Sequence, residues 1–136
     1  FIKCGFTSTA TVKTYIPIAG SDDLRDDTNP IGDSEKVVMI CPFDGSVQTV
    51  WARSQAVPGD TTIGFHKIGV DYEVPSATAI GEMTIDMAVD NTSYEFDFTG
   101  VSNTFSQGQI IMFSVDPTTQ LGDCHFMIVL KFDVST

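Results

Sequence analysis

Basic side chains are scarce in this sequence. Lysine and arginine together number 7, against 18 aspartates and glutamates, which gives a formal net charge of −11. A surface with this excess of carboxylates repels the phosphate backbone of nucleic acids and the anionic surface of a lipid bilayer. We therefore expect no nucleic acid among the partners of the protein.

Long hydrophobic runs are also missing. No apolar stretch approaches the roughly 20 residues that a helix needs to cross a bilayer, so no membrane insertion is expected. Hydrophobic residues still make up 42% of the 136 positions, which favours a folded core over disorder. The length suits one domain, and the first residue is not Met. We expect residues 1–136 to form a single β-sandwich domain, the C-terminal part of a longer chain.

Cysteine occurs only three times, as Cys4, Cys41 and Cys124. The spacing contains no C-x-x-C or C-x-x-H pattern of a zinc or redox site. A chain of this size does not need disulfides to be stable, so free, partly buried thiols are predicted. A bridge from Cys4 to Cys124 or to Cys41 remains the alternative.

Histidine is rarer still, with His66 and His125 as its two occurrences. No G-x-S-x-G elbow accompanies them, and a nucleophile, a base and an orienting group are all required for a hydrolytic triad. No spacing of His, Cys or acidic residues matches a metal site. We therefore predict a protein that is not an enzyme, with no catalytic residues, no metal and no cofactor.

Alternating apolar and polar residues, separated by Gly, Pro, Asp and Asn turns, indicate strands throughout the sequence. No segment has a convincing helical period. We predict an all-β fold, an antiparallel eight-stranded jelly-roll sandwich, with an immunoglobulin-like β-sandwich as the alternative. Asp44-Gly45 is a turn signal that predicts a hairpin between the second and third strands. The predicted strands cover residues 9–18, 36–41, 46–53, 61–68, 83–89, 94–98, 109–115 and 124–132.

The last of these strands, residues 124–132, has one wholly apolar face and one mixed face. We expect the first face, with Phe126, Ile128, Leu130 and Phe132, to fill the core of the sandwich. The mixed face places apolar side chains on the outside, where they are available for self-association. The alternative is an inner strand covered on both faces within one sandwich. A trimer interface is predicted at Ile111, Phe113, His125, Met127 and Val129.

An acidic segment, residues 19–35, separates the first two predicted strands. It lacks a sustained apolar period and is expected to be a long loop. Clustered carboxylates suit calcium, but the spacing differs from that of an EF-hand, which favours a solvated loop and leaves calcium binding as an alternative. Exposed aromatic rings can stack on sugars. The predicted ligand loop or surface comprises Asp22, Asp23, Asp26, Asp27, Trp51 and Tyr72.

Four stretches in order carry a resemblance to a known family: VVMICPFDGSV at 37–47, TTIGFHK at 61–67, FSQGQII at 105–111 and VLKFDV at 129–134. In these stretches the sequence resembles the jelly-roll domain of virion structural proteins, of the fibre or capsid-decoration type, from marine tailed phages that include cyanophages. The resemblance implies a trimeric C-terminal domain with a jelly-roll fold, and it implies no catalytic residues.

This resemblance leads to our functional hypothesis. We predict a non-enzymatic virion domain, the trimeric distal domain of a tail or head fibre, located in virions that assemble in the host cytoplasm. Its expected partners are two further copies in a homotrimer, other virion proteins and a host cell-surface glycan or protein. The alternatives are a capsid decoration (cement) protein and a carbohydrate-binding module attached to a hydrolase.

Overall fold

A computed structural model describes residues 1–18, 38–68 and 78–134. Ten strands and no helix occur in these ranges, so none of their segments is a helix that could span a membrane. The strands are β1 (Ile2–Ser8), β2 (Thr14–Tyr15), β3 (Met39–Ile40), β4 (Gly45–Ser54), β5 (Gly59–Ile68), β6 (Gly81–Met87), β7 (Ser93–Asp97), β8 (Thr104–Phe105), β9 (Ile110–Pro117) and β10 (Gly122–Phe132).

The strands form two antiparallel sheets that pack face to face. Sheet A has the order β1-β10-β4-β7, and β8 pairs with β4 beside β7. Sheet B has the order β2-β9-β5-β6, and β3 pairs with β9 beside β2. When β2 and β3 are taken as one interrupted strand, and β7 and β8 as another, the chain alternates between the sheets, except from β5 to β6, which pair within sheet B, as in a jelly roll. The predicted jelly roll is confirmed, and the immunoglobulin-like alternative is wrong.

The last strand, β10, occupies an inner position of sheet A between β1 and β4. Its burial alternates along most of its length, as the sequence pattern predicts. Phe126 and Ile128 are buried in the core, and Leu130 and Phe132 pack against it. The intervening His125 and Met127 are exposed, so one face of β10 fills the sandwich and the other forms part of its surface.

Aromatic rings from both sheets meet in the core. Phe65 of β5 contacts Phe113 of β9, with 5.6 Å between ring centroids, and Phe105 of β8, with 6.4 Å. Phe105 also contacts Phe132 at 5.8 Å. Such edge and tilted arrangements suit the ring quadrupoles and add to the free energy gained by burying the rings. These contacts join the two sheets at the Phe132 end of β10.

Two predictions about the first half of the chain are wrong. The hairpin between residues 36–41 and 46–53 does not form, because β3 pairs with β9 in sheet B while β4 belongs to sheet A. The turn at Asp44 therefore carries the chain from one sheet to the other. Within residues 9–18 the strand is limited to Thr14–Tyr15, whereas the full strand β1 lies earlier, at Ile2–Ser8.

All three cysteines are free thiols, as predicted. Cys41 and Cys124 are buried, and the Sγ of Cys124 donates a hydrogen bond to the carbonyl of Phe6 at 3.2 Å. Burial raises the pKa of Cys4 and of Cys124 to about 12 and that of Cys41 to about 11, because an apolar environment disfavours the thiolate. The thiols act as small hydrophobic groups in the interior.

Candidate functional site

The outer face of sheet A carries two rows of side chains that run across four strands. Residues paired directly across antiparallel strands lie on the same face with Cβ atoms about 5 Å apart. Their registers place Trp51 beside Met127 and Arg53 beside His125. We call this surface the open face. Its rows are Lys3–Met127–Trp51–Glu95 and Gly5–His125–Arg53–Ser93.

A groove of about 440 Å³ lies on the open face. This volume falls in the range of small-molecule sites, roughly 300–1,000 Å³. Trp51 and Met127 each keep 37% of their surface exposed and form its most apolar part. The groove is lined by Lys3, Cys4, Gly5, Trp51, Arg53, Ser93, His125, Phe126 and Met127.

The absence of a side chain at Gly5 leaves space for the imidazole of His125 in the groove. A Cβ atom at position 5 would lie 2.7 Å from Nδ1 of His125, closer than real Cβ contacts, and 3.1 Å from its Cε1, which is tighter than most of them. The ring therefore occupies the space above β1 that any other residue would fill. The missing side chain at Gly5 determines where the His125 ring lies.

Among the residues that the structure describes, the lining of the groove contains the cations Lys3 and Arg53 but no carboxylate. This composition contrasts with the whole chain, where acidic residues outnumber basic ones by 18 to 7. The ammonium group of Lys3 lies 5.4 Å from the centroid of the Phe1 ring. Glu95 is the cross-strand neighbour of Trp51 and lies outside the lining. The groove is thus locally basic on an acidic protein.

Arg53 and His125 also border a second, smaller hollow of about 230 Å³. Here Asp123 introduces a carboxylate, which accepts a hydrogen bond from the hydroxyl of Thr7. Gln55 and Asn91 complete its wall. The open face therefore changes from basic and aromatic at Trp51 to mixed and polar at Asp123.

Several predicted site residues meet on the open face. Trp51, predicted for a ligand surface, lies directly beside Met127, which was predicted for a trimer interface together with His125. Val129 follows on the same strand, opposite Thr49, and is half-buried. Two separate predictions thus concern one surface. The remaining ligand-surface candidates, Asp22, Asp23, Asp26, Asp27 and Tyr72, lie outside the described residues.

The outward orientation predicted for Ile111 and Phe113 is wrong. Both side chains are fully buried and belong to the core between the sheets. The register of β9 explains this, because Phe113 pairs with Phe65 and Val115 with Ile63, and all of these face inward. An interface between chains cannot use side chains that the chain's own core has enclosed.

Four further residues of the groove, Lys3, Gly5, Arg53 and Ser93, were not predicted from the sequence. One of them was accessible from the sequence, since Trp51 and Arg53 are two positions apart on one strand and must share a face. The others depend on the pairing of β10 with β1 and of β4 with β7, which joins distant parts of the chain.

The outer face of sheet B contains a buried polar cluster. Nε2 of His66 and Oγ of Ser114 are 2.8 Å apart, and the Tyr15 ring lies 5.7 Å from the imidazole, edge to face. Met112 pairs with His66 across the strands. We call these four residues the closed face, because each is at most 3% exposed. The Ser–His pair satisfies two buried polar groups and has no access from solvent.

Within the described ranges, no group of three or more His, Cys, Asp or Glu side chains is arranged to hold a metal ion. The described residues that line the groove of the open face offer an exposed aromatic ring, a thioether, an imidazole, two cations and a hydroxyl. These groups suit non-covalent recognition, in which an apolar surface and a few placed polar groups set the orientation of a ligand.

No family model and no curated protein matches the chain. Among solved structures, the chain is similar to a protein chain of the naturally occurring empty particles (top component) of cowpea mosaic virus. The two chains are 13% identical with a TM-score of 0.41, and the match covers 97% of this chain and 81% of the viral chain. A structure from the empty virus-like particle of the same virus gives 11% identity and a TM-score of 0.32, covering 97% and 78%. The fold assignment rests on the strand order described above.

Proposed function

We propose that this chain is a non-enzymatic virion structural domain that presents the open face to a molecule outside the domain. The observation that carries the proposal is the jelly-roll strand order, an architecture that recurs in viral capsid domains and lectins. Binding residues placed on a rigid sheet are held more accurately than residues on loops. The proposed location is the virion, after assembly in the host cytoplasm.

Within the virion, we propose the distal domain of a tail or head fibre, with a capsid decoration protein as the alternative. The two differ in copy number, since a fibre contributes few copies and a lattice protein contributes tens to hundreds. Quantitative mass spectrometry of purified particles distinguishes them. A complete absence of the chain from purified particles contradicts both.

The homotrimer remains a prediction. With Ile111 and Phe113 enclosed in the core, the predicted interface keeps only His125, Met127 and Val129. A stable interface buries about 800 Å² per partner and involves some 20 residues per side, so further surface must contribute. Sedimentation velocity at micromolar concentration tests this. A trimer that persists in the Met127→Glu variant assembles through another surface, and a monomer at all concentrations contradicts the prediction.

A carbohydrate-binding module beside a hydrolase is the second candidate function. The exposed Trp51 ring in the groove favours it, because an aromatic face covers the apolar C–H surface of a sugar. The sequence of the parent chain tests this alternative. A neighbouring catalytic domain supports the module, whereas a long fibrous region supports the virion domain.

A further inference from the structure

We propose that the groove of the open face binds a saccharide that carries a carboxylate, of the uronic acid or sialic acid class. The inference rests on the proposed role of the open face in contacting an external molecule. Its basis is the combination of one exposed aromatic ring with two cations in a groove that, within the described ranges, no carboxylate lines.

The size of the groove limits the ligand. A volume of about 440 Å³ matches a small molecule. Trp51 and Met127 lie side by side across β4 and β10 and expose equal fractions of their surfaces. A sugar ring fits such a site, because its C–H face can cover the indole while its hydroxyl groups remain at the polar edge.

The charge of the groove selects an anionic ligand. Arg53 is exposed, and it forms no ion pair with a carboxylate anywhere in the part of the chain that the structure describes. Its guanidinium can therefore form a bidentate pair with a ligand carboxylate. Lys3, one row away on β1, adds a second positive charge. The overall charge of −11 opposes binding of anions elsewhere on the surface.

Polar groups suited to sugar hydroxyls border the same groove. Ser93 pairs with Arg53 across β7 and β4, and it is exposed. His125 lies on the other side of Arg53, with its ring held above Gly5. An imidazole and a hydroxyl can each donate or accept a hydrogen bond, which matches the mixed character of a sugar hydroxyl.

The chain contains its own probe for a test, because Trp51 is the only tryptophan. Its emission is measured while the purified 136-residue chain is titrated with methyl glucuronide or methyl N-acetylneuraminide, and with methyl glucoside as the neutral control. We expect a saturable change with at least one carboxylated sugar and a dissociation constant on the order of 1 mM, typical for a ligand of this size. We expect the neutral sugar to bind about tenfold more weakly, since it lacks the charge-assisted pair.

Matched variants locate the site. Arg53→Gln and Lys3→Gln should each weaken binding of the carboxylated sugar, by about tenfold for Arg53 and less for Lys3. Lys131→Gln is the control, because Lys131 is an exposed residue of β10 outside the groove and its loss should leave the affinity unchanged. Gly5→Ala should also weaken binding, because the new Cβ displaces the His125 ring.

Each of the following results of the sugar titrations would overturn the inference: no saturable change with either carboxylated sugar, equal affinity for the neutral sugar, or an equal loss of affinity in Lys131→Gln. A Trp51 emission that depends on protein concentration and not on sugar would assign the face to self-association and would also overturn it. Failure of sugar binding leaves the copy number in purified particles unaffected, so the virion proposal is tested separately.

Discussion

Similar side chains are buried on one outer face of this sandwich and exposed on the other. Each face has a methionine, a histidine, a serine and an aromatic residue on neighbouring strands. On sheet B these residues are Met112, His66, Ser114 and Tyr15, all buried, and on sheet A they are Met127, His125, Ser93 and Trp51, all exposed. The comparison separates residue type from role: the same chemistry stabilises the fold on one face and is available to a ligand on the other.

The physical difference lies in what each polar atom contacts. On the closed face, His66 and Ser114 are hydrogen-bonded to each other away from water, and burial raises the pKa of Tyr15. On the open face, Arg53 and Ser93 are exposed to solvent. Removing a polar group costs the most where its partner is left buried and unpaired. Matched substitutions on the two faces should therefore have unequal effects.

The largest difference in the free energy of unfolding between matched substitutions on the two faces is expected for the methionines. Met112→Ala should lower the free energy of unfolding by about 2–5 kcal/mol, since it leaves a cavity at a fully buried position. Met127→Ala should change it by no more than about 0.5 kcal/mol, because Met127 is exposed. Urea unfolding of both variants checks this. Equal losses would mean that the open face is covered in solution.

The next largest difference in stability between matched substitutions is expected for the glycines Gly64 and Gly5. A Cβ at Gly64 would lie 2.6 Å from Oγ of Ser114 and 3.0 Å from the Cβ of Ala79, so Gly64→Ala should cost about 1–3 kcal/mol through overpacking. Gly5→Ala meets only the ring of His125 at such short range, and an exposed ring can swing away. Thermal unfolding should therefore show a smaller loss for Gly5→Ala. The reverse order would contradict the assignment of the two faces.

Matched serine substitutions on the two faces test the hydrogen bond between His66 and Ser114. Ser114→Ala removes the hydroxyl that contacts the buried Nε2 of His66 and should cost about 1–3 kcal/mol. Ser93→Ala is the control on the open face and should cost less than about 0.5 kcal/mol. Denaturant midpoints measured in parallel give both values. If Ser114→Ala were neutral, the contact would contribute nothing to stability.

The smallest expected change in stability comes from the pH dependence of the thiols inside the sandwich. The folded state raises the pKa of Cys124 from an ordinary 9.0 to about 12, so the neutral thiol is favoured in the folded state. Stability from this thiol is fully present below pH 9 and is lost as the pH rises from 9 toward 12, because the unfolded chain ionises first. The loss should be about 1 kcal/mol at pH 10.

Urea unfolding of the parent chain at pH 8 and pH 10 measures the summed loss from the three thiols, whose pKa values are all raised. The difference between the parent chain and Cys124→Ala, which lacks one titrating thiol, gives the contribution of Cys124. The variant should lose less stability between the two pH values than the parent chain. An identical pH dependence would show that the interior beneath the open face admits water.

The strands of sheet A were partly predictable from the sequence. The apolar face of β10 alternates strictly with a mixed face, so its inward side chains, Phe126 and Ile128 among them, follow from period two alone. The same rule places Trp51 and Arg53 together. The hairpin expected at Asp44-Gly45 fails, because a turn signal indicates a change of direction and not the sheet to which the next strand is added.

The candidate site was predictable only in fragments. Trp51, His125 and Met127 were each predicted for a surface, but their meeting depends on the pairing of β10 with β4. Lys3 and Gly5 belong to β1, a strand that the hydrophobic pattern of the sequence did not predict. Contacts between residues so distant in the chain leave no periodic signal in either segment.

The sequence by itself determined the all-β class and the inner and outer faces of strands that alternate clearly, whereas the structure decided between free thiols and a disulfide bridge. In β9, residues 110–115 are apolar or small on both faces, so period two could not decide which side is inward. The tertiary structure made that choice: pairing with β5 placed Ile111 and Phe113 in the core and Met112 on the closed face. Burial is a property of what packs against a residue, and for a strand with two apolar faces only the assembled sheets supply it.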